Sequence, residues 1–433
     1  MASRIIIGLT SPFGAGCSTI AGDLVKRLSF RGYSLTEAMR EIAPKFIDNL
    51  DQDKLTSPKF RWYQQYVGNE IRKRNLYAIP EQIVQKIQED DKNDGSLEGL
   101  DIVIDSIKNP SEMEYLRDRF LHFFVIAVFA QFDIRWARSE KAYEGNQWNF
   151  ITDDERDSGV FEPSQGQKVQ LCVDGADILI SNERSIAEPR VKKELQAKID
   201  EYIKLMKTPG SRGPHPKELN MAQAYEASLM SSCCKRRVGA IVVKEESMER
   251  KSRSYVIASG YNEAPLHIRS CSERGGVSNP EYCYKDEKVK SLLKEQYKYC
   301  PECGAKLDLS EQSDLPFICP TNGCRARLGS DFIPGRMFDL CIAAHAEESA
   351  ILQASRFGGT QIDGSVLYTT TFPCPLCAKM ILQAGIETVF FAEPYPQGEA
   401  INALREGGIE AKLFEGVKGR AYHRLFEPPL HKL

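Results

Sequence analysis

Short apolar runs alternate with amphipathic stretches through the first 206 residues, and this alternation constrains the fold more than any other feature of the sequence. The first run covers residues 4–10 and leads through a Gly-rich loop into an amphipathic stretch at 20–28. Further runs follow at 100–104, 123–129 and 178–180, with helical patterns between them. Strands that alternate with helices favour a parallel sheet with helices on both faces. We therefore predict an α/β fold.

Helix breakers are densest in residues 207–216, Lys-Thr-Pro-Gly-Ser-Arg-Gly-Pro-His-Pro, which indicates a domain boundary. We predict an N-terminal domain at 1–206, a linker at 207–218 and a C-terminal domain at 219–433. In the second domain we predict, in chain order, a helix at 219–232, strands at 239–243 and 255–259, a helix at 343–355, a strand at 366–370, a helix at 375–383, a strand at 388–392, a helix at 398–405 and a strand at 410–414.

The charge balance is nearly neutral, with 57 Lys and Arg against 60 Asp and Glu. No global field attracts polyanions, so stable binding of duplex DNA is not expected. The longest apolar run is too short to span a bilayer, and the first residues lack the apolar segment of a signal peptide. We therefore expect a cytoplasmic protein without membrane contact, in which paired cysteines are metal ligands rather than disulfides.

The residues with the clearest chemistry are His345 and Glu347 and, after 25 intervening residues, Pro373-Cys374-Pro375-Leu376-Cys377. This HxE…PCxxC pattern is a known signature of zinc nucleobase deaminases. A catalytic zinc takes three protein ligands and leaves one position to water, so His345, Cys374 and Cys377 are the predicted ligands. Glu347 is the predicted general acid and base, moving protons between water and a cytosine ring. The alternative is a closed structural zinc site with Cys341 as fourth ligand.

The segments at 222–234, 237–243 and 258–265 resemble the deoxycytidylate deaminase branch of the cytidine deaminase superfamily. The resemblance covers roughly residues 219–415 and implies an α/β/α domain. It also implies that Asn262, in Gly-Tyr-Asn, contacts the sugar of the substrate; a turn residue that bonds locally is the alternative. Glu263 stands where the family has Gly. Tyr395 is a candidate lining residue of the substrate pocket, or else a packed surface aromatic.

An insertion at about 296–330 contains Cys300-Pro-Glu-Cys303 and Cys319-Pro-Thr-Asn-Gly-Cys324. Two cysteine pairs at this spacing predict a zinc ribbon with a second, structural zinc. We expect the metal to order the insertion, because the segment has little apolar content of its own. A surface that contacts nucleic acid or a partner is the functional alternative. Cys271 and Cys283 stay unassigned.

The loop at residues 11–18 fits the P-loop pattern GxxxxGK[ST], but Ser11 replaces the first Gly and Cys17 replaces the Lys. Backbone N–H groups at a helix start bind phosphates, so the predicted nucleotide-binding residues are Gly14, Gly16, Ser18 and Thr19. Without the lysine, efficient phosphate transfer is not expected. We predict a degenerate P-loop kinase-like domain that binds nucleotide, with kinase activity as the weakest alternative.

The pairing of these two domains resembles the bacterial anti-phage dCTP deaminases. The resemblance implies a homo-oligomeric enzyme that converts dCTP or dCMP, or both, into dUTP or dUMP and ammonia, and so depletes the dCTP pool. It also implies control by a regulatory nucleotide at the N-terminal domain, by RNA or by a protein inhibitor. The alternatives are a housekeeping dCMP deaminase for thymidylate synthesis, a nucleotide-sensing regulator and a polynucleotide cytosine deaminase.

Overall fold

The computed structural model describes residues 4–95, 99–159, 162–184, 188–248, 251–310, 312, 317–321, 324, 326–328, 340–358, 361–393 and 398–428. The chain divides into two compact units. The first comprises Met1–Ala222 and Leu413–Leu433, and the second comprises Gln223–Lys412. Among the described helices, none is long and apolar enough to cross a membrane.

The N-terminal unit is built on a six-stranded sheet. Its strands are β1 (Ile6–Thr10), β2 (Arg31–Ser34), β3 (Ile102–Ile107), β4 (Phe123–Phe129), β5 (Ile178–Ser181) and β13 (Gly416–Val417). They lie in the order β13-β5-β4-β1-β3-β2. All pairs are parallel except β13 with β5, so the predicted α/β class is confirmed with a mixed sheet.

Helices cover both faces of this sheet. They are α1 (Cys17–Leu28), α2 (Leu35–Phe46), α3 (Gln52–Thr56), α4 (Arg61–Arg74), α5 (Ala78–Asn93), α6 (Pro110–Arg119), α7 (Phe132–Ser139), α8 (Gln147–Ser158), α9 (Val169–Asp174), α10 (Pro189–Lys207) and α17 (Tyr422–Phe426). Side chains alternate across each strand, so the sheet contributes to two cores. Ile104 and Val125 belong to one core, and Val103 and Phe124 belong to the other.

The last 21 residues differ from the predicted domain limits, because they belong to the N-terminal unit and not to the C-terminal one. β13 adds an antiparallel edge to β5. Val417 and Leu425 are fully buried in the N-terminal core. Lys418 is also buried, and its Nζ donates to the carbonyl oxygens of Val173 and Asp174, at 3.0 and 2.8 Å. Burial of apolar surface and satisfaction of the end of α9 therefore fix this segment.

The second unit contains a five-stranded sheet in the order β12-β11-β10-β6-β7 and a two-stranded sheet. Its elements, with α11 starting in the first unit, are α11 (Pro216–Ser228), β6 (Gly239–Met248), β7 (Lys251–Tyr261), α12 (Cys271–Gly275), α13 (Tyr284–Gln296), β8 (Phe317–Ile318), β9 (Arg327–Leu328), α14 (Ala346–Phe357), β10 (Val366–Thr371), α15 (Pro375–Gln383), β11 (Thr388–Glu393), α16 (Gly398–Glu406) and β12 (Glu410–Leu413). β10 and β11 are parallel, whereas β6 is antiparallel to both β10 and β7. The helix predicted at 219–232 begins earlier, because Pro216 suits a first helical turn.

Candidate active site and metal centre

His345 lies at the N-cap of α14, with an extended backbone (φ −76°, ψ 158°). Its N–H donates to the carboxylate of Glu348 at 3.2 Å. The preceding Ala344 forms an isolated antiparallel bridge with Glu263. The helix therefore starts three residues later than predicted, because the chain before His345 pairs with another segment. Cys341 does not lie on the preceding turn of that helix.

Cys374 and Cys377 lie at the start of α15, as the spacing predicts. Cys374 is the N-cap residue, and Pro375 is in the first turn. The N–H of Cys377 donates to Sγ of Cys374 at 3.5 Å. The pKa of Cys374 is lowered to about 4, first by the hydrogen bond with Cys377 and then by the bond with His345, against the effect of burial. One sulfur of the pair is thus easily held as thiolate.

The three side chains fit a zinc ion. Nδ1 of His345 lies 3.3 Å from Sγ of Cys374 and 3.3 Å from Sγ of Cys377. A tetrahedral zinc with ordinary bond lengths places nitrogen and sulfur ligands about 3.6 Å apart. Among the described residues, which include Cys341, only these three offer ligand atoms to this cluster. Within the described residues the cluster is therefore a three-ligand set, which is the number of protein ligands that a catalytic zinc takes.

Glu347 lies beside the cluster on the first turn of α14 and is 4% exposed. Burial raises the pKa of its carboxyl group. Oε1 accepts a hydrogen bond from Oγ1 of Thr369 at 3.0 Å. A carboxyl group with a raised pKa exchanges protons near neutral pH more readily than an ordinary glutamate. The geometry thus gives Glu347 a fixed orientation and an acidity that suit proton transfer.

Two residues that position Glu347 were not singled out from the sequence. Thr369, on β10, is fully buried and holds one carboxylate oxygen. Gly260, on β7, lies against α14 so closely that a Cβ atom there would be 2.3 Å from the carbonyl oxygen of Ala346. A glycine inside an apolar strand signals such a close approach. No sequence signal distinguishes Thr369 from an ordinary strand threonine.

The amide of Asn262 binds the backbone on both sides of Arg237. Oδ1 accepts from the N–H of Val238 at 2.7 Å, and Nδ2 donates to the carbonyl oxygen of Arg236 at 2.9 Å. These bonds fit the local structural alternative, and a sugar contact stays a prediction. Tyr395 lies outside the described residues.

Glu263, which replaces the family's glycine, forms hydrogen bonds with Ser232 and Ala344. Its carboxylate accepts from the N–H and Oγ of Ser232, at 2.9 and 2.6 Å. Its backbone bonds to Ala344 in both directions, at 3.2 and 3.0 Å. The departure from the family pattern is therefore compensated by new contacts near His345.

The insertion brings all four predicted cysteines together. Sγ atoms are 3.8 Å apart in the pair Cys300 and Cys324, and 3.7 Å apart in the pair Cys303 and Cys319. All four sulfur atoms lie within 4.8 Å of one another. The insertion also has a small apolar core that includes Phe317 and Leu328, contrary to the low apolar content expected from the sequence. This core arises because residues of α13 pack against the two-stranded sheet.

In the N-terminal unit the loop after β1 leads into α1 as predicted. Gly14 and Gly16 both have positive φ, 80° and 107°, which favours glycine. Ser18 donates to Oδ2 of Asp105 at 2.7 Å, and Thr19 is exposed. Cys17 is buried, and burial raises the pKa of its thiol to about 12. A neutral, buried thiol offers no charge to a phosphate, so Cys17 does not replace the missing lysine.

The guanidinium of Arg135, near the Gly-rich loop, is engaged in contacts within the fold. It is 7% exposed, pairs with Asp154 at 2.5 Å and donates to the carbonyl oxygen of Phe13 at 3.1 Å. Arg138 lies within 3.5 Å of the carbonyl oxygens of Gly14 and Ala15. Both arginines therefore contact backbone carbonyl oxygens of the loop and stabilise its conformation.

Comparison with known proteins assigns the second unit to a family. Residues 215–393 match the family model of the cytidine and deoxycytidylate deaminase zinc-binding region. The deoxycytidylate deaminase of Enterobacteria phage T4 is 32% identical over 193 residues, which cover 43% of this chain and 83% of that protein. The deoxycytidylate deaminase of Saccharomyces cerevisiae is 28% identical over 195 residues, which cover 45% of this chain and 43% of that protein.

A crystal structure of dCMP deaminase from cyanophage S-TIM5, in complex with dCMP and dUMP, is 24% identical and covers 47% of this chain and 100% of that one. Its TM-score of 0.27 is low, so the assignment rests on the sequence matches and on the geometry of the site. The three-ligand cluster, the buried Glu347 and the phage T4 relative agree. The chain belongs to the cytidine and deoxycytidylate deaminase family and is a hydrolytic deaminase.

Proposed function

We propose that the chain deaminates deoxycytidine nucleotides, dCTP or dCMP or both, and releases dUTP or dUMP and ammonia. The observation that carries this proposal is the three-ligand cluster of His345, Cys374 and Cys377 beside the buried carboxyl group of Glu347. A site that only binds nucleotide has no need of a buried proton carrier. The names of the phage T4 and yeast relatives support a deoxycytidine nucleotide as the substrate.

Each residue of the site has a separate task. His345, Cys374 and Cys377 would hold zinc, which when bound lowers the pKa of a water molecule and so supplies a nucleophile at neutral pH. Thr369 holds Oε1 of Glu347. This bond restricts the rotation of the carboxylate group. The other carboxylate oxygen is then available to take the proton of the attacking water.

Glu347 next returns protons to the substrate. It passes the first proton of this water to ring N3 as the oxygen adds to C4 of cytosine. It then takes the second proton from the new C4 hydroxyl group and delivers it to the amino group, so that the C4–N bond breaks, C4=O forms and ammonia leaves. The sum of these steps is cytosine plus water giving uracil plus ammonia. The burial of Glu347 excludes bulk water, which would compete for the same proton.

The test replaces Glu347 with Gln in the zinc-loaded full-length chain. Ammonia release from dCTP, dCMP and CTP and from a single-stranded oligonucleotide is measured, together with zinc content. We expect turnover of a deoxycytidine nucleotide to fall by about 10²- to 10⁴-fold with zinc retained, because one general acid and base is lost. The matched control is Glu406→Gln, on the exposed side of α16. Equal turnover in E347Q and wild type would refute the role of Glu347.

The same assay separates the alternatives. A polynucleotide deaminase would prefer the oligonucleotide, a nucleotide sensor would release no ammonia, and a housekeeping enzyme would prefer dCMP. We also propose that the enzyme depletes dCTP in defence against phage. The pairing of its two domains, which resembles that of the bacterial anti-phage dCTP deaminases, supports this proposal. It predicts preference for dCTP and a fall in cellular dCTP during infection.

We further propose a structural zinc at Cys300, Cys303, Cys319 and Cys324. Tetrahedral zinc–thiolate geometry places sulfur atoms about 3.8 Å apart, and the two pairs lie at 3.8 and 3.7 Å. Cys303→Ser should lower zinc content by one ion per chain and lower the thermal midpoint, whereas Cys234→Ser, at an exposed cysteine, should change neither. Unchanged zinc content in C303S would contradict the proposal.

The third element of the proposal is a nucleotide effector bound in the N-terminal unit, with its phosphates on the first turn of α1. Gly14, Gly16, Ser18 and Thr19 would provide the contacts, since a helix start favours anions. Turnover with and without added deoxynucleoside triphosphates measures the effect. An enzyme that no nucleotide activates or inhibits would contradict this element.

A further inference from the structure

An open cleft in the second unit is lined by basic residues. It has a volume of about 520 Å³ and is bordered by residues 232–237, Ser272 and Pro280. Residues 235–237 are Lys-Arg-Arg, so three consecutive cations belong to the lining. Small-molecule sites usually have volumes of about 300–1,000 Å³ and a few polar groups that fix the ligand. A cleft of this size with a basic lining favours a small anionic ligand.

Two of these three cations are already paired with carboxylates. Nζ of Lys235 lies 3.2 Å from Oδ2 of Asp286. Nη2 of Arg236 lies 2.6 Å from Oε2 of Glu393. Arg237 is exposed, and its guanidinium forms no ion pair or hydrogen bond with any residue that the structure describes. Arg237 is therefore the cation of the cleft whose charge is available to a ligand.

The backbone around Arg237 is held by the side-chain amide of Asn262. This amide bonds to the N–H of Val238 at 2.7 Å and to the carbonyl oxygen of Arg236 at 2.9 Å. The N–H of Asn262 also donates to the carbonyl oxygen of Val238 at 3.2 Å. The two amide bonds fix the peptide groups on either side of Arg237. Less freedom is then lost when its side chain meets a ligand.

The cleft lies next to the catalytic cluster, because hydrogen bonds join its lining to both segments that carry the candidate metal ligands. Besides its ion pair in the cleft, the carboxylate of Glu393 accepts from Oγ1 of Thr371 at 3.0 Å, three residues before Cys374. The bonds of Glu263 to residues 232 and 344 join the cleft to the segment that ends at His345. A substrate whose ring lies at the catalytic cluster therefore has the cleft within reach of its other end.

We propose that Arg237 binds the phosphate groups of the deoxycytidine nucleotide and that Asn262 is the residue that positions Arg237. The inference rests on the proposed function, because it takes the substrate from there. The ring of the substrate lies at the catalytic cluster and its phosphates lie in the cleft. The planar set of N–H donors on a guanidinium matches phosphate oxygens. Asn262 then acts on the substrate through the backbone of residues 236–238 and not by a bond to the sugar.

Arg237→Gln tests the phosphate contact, since it removes the charge of an exposed side chain. The measured quantity is the affinity for dCMP and for dCTP, each divided by the affinity for 2′-deoxycytidine, which has no phosphate. We expect this ratio to fall by about tenfold or more, as for loss of a hydrogen bond between charged groups. The matched control is Arg253→Gln, an exposed arginine of β7 outside the cleft. R253Q should keep the ratio of the wild type.

Asn262→Ala separates a positioning role from a sugar contact. Loss of a sugar contact weakens all three ligands by the same factor, because they share the deoxyribose, and it leaves the ratio unchanged. Loss of the positioning role lowers the ratio, as R237Q does. The double variant R237Q/N262A should then have about the same ratio as R237Q, because both changes act on one contact. Thermal midpoints and zinc content are recorded for every variant.

The affinities are measured by titration calorimetry on the zinc-loaded full-length chain carrying Glu347→Gln, so that no substrate is consumed. Any binding in the N-terminal unit is common to all variants and cancels in their comparison. The same variants with Glu347 restored are assayed for ammonia release, and the ratio of kcat/KM for each nucleotide to that for 2′-deoxycytidine should fall in parallel.

The failures of the two proposals are distinguishable. If R237Q changes the ratio no more than R253Q does, Arg237 does not bind the phosphates and the inference fails, whatever the turnover. If N262A weakens all three ligands equally, Asn262 is a sugar contact and its positioning role is refuted. If R237Q lowers the ratio but the chain with Glu347 releases no ammonia from any of the three, the deaminase function fails and the phosphate contact stands.

Discussion

The packing of β7 against α14 sets the geometry of the active site, and one methyl group tests it. A Cβ atom at residue 260 would lie 2.3 Å from the carbonyl oxygen of Ala346 and 2.3 Å from the nitrogen of Ala350, where ordinary contacts begin at 3.4 Å. Both atoms belong to the helix backbone, so no side-chain rotation relieves the clash. In Gly260→Ala the strand or the helix must therefore move by about 1 Å, at a cost of about 1–3 kcal/mol in stability.

The displaced helix carries His345 and Glu347 on either side of Ala346. A shift of about 1 Å in a catalytic group costs on the order of 100-fold in rate. We expect Gly260→Ala to fold with a lower thermal midpoint, to bind zinc more weakly and to lose about 100-fold in kcat/KM. The assays are calorimetry, zinc analysis and ammonia release from dCMP and dCTP.

The neighbouring residue provides the control. Ser259 is the preceding residue of the same strand, on its opposite face, and is exposed, so Ser259→Ala should change none of the three quantities. Wild-type turnover in G260A, at any thermal midpoint, would show that the close approach does not position the catalytic helix. If the thermal midpoint of S259A fell as much as that of G260A, the strand would simply be sensitive to any substitution.

Three further predictions concern single side chains. Thr369→Val keeps the side-chain shape but frees Oε1 of Glu347; kcat should fall about tenfold with zinc content unchanged, and an unaltered kcat would contradict the orienting role. Arg61 and Lys108 outweigh burial and lower the pKa of Asp157 to about 2 from its ordinary 3.8. The ionised carboxylate stabilises the fold above pH 3.8, and this stabilisation is lost as the pH falls toward 2. Asp157→Asn should therefore lower the free energy of unfolding by about 2 kcal/mol at pH 7. The gap between the urea midpoints of D157N and wild type should then narrow below pH 4, and a constant gap would refute the linkage. Truncation after Lys412 removes the buried residues Val417 and Leu425 and should lower the thermal midpoint of the N-terminal unit, which a calorimetric scan with unchanged transitions would contradict.

Elements with a strong local pattern could be predicted from the sequence. The apolar run Phe123–Phe129 and the helix Pro375–Gln383 have the predicted bounds. Seven consecutive apolar or aromatic residues fit only a buried strand here, and Pro375 marks the first turn of a helix. The convergence of His345 with the two cysteines was predicted from the HxE…PCxxC signature, whose imidazole and paired thiolates are common zinc ligands.

Elements that depend on distant partners could not be predicted. β2 has the sequence Arg-Gly-Tyr-Ser, which lacks an apolar run, and its pairing with β3 alone makes it a strand. β13 is two residues long and joins a sheet whose other strands lie more than 230 residues earlier in the chain. Local propensity is too weak to specify such pairings, since tertiary contacts override it. For the same reason no sequence pattern indicates Thr369, because its role depends on a hydrogen bond to the carboxylate of Glu347.

Two of the three candidate metal ligands lie at helix N-caps, which explains how a short sequence pattern gives a defined site. His345 is the N-cap of α14 and Cys374 is the N-cap of α15, so two helix starts meet at the ligand cluster. Helix starts carry partial positive charge and favour thiolate over thiol. The strand between them, β10, supplies Thr369 to the same point. One helix–strand–helix unit therefore fixes the ligands, their charge state and the proton carrier together.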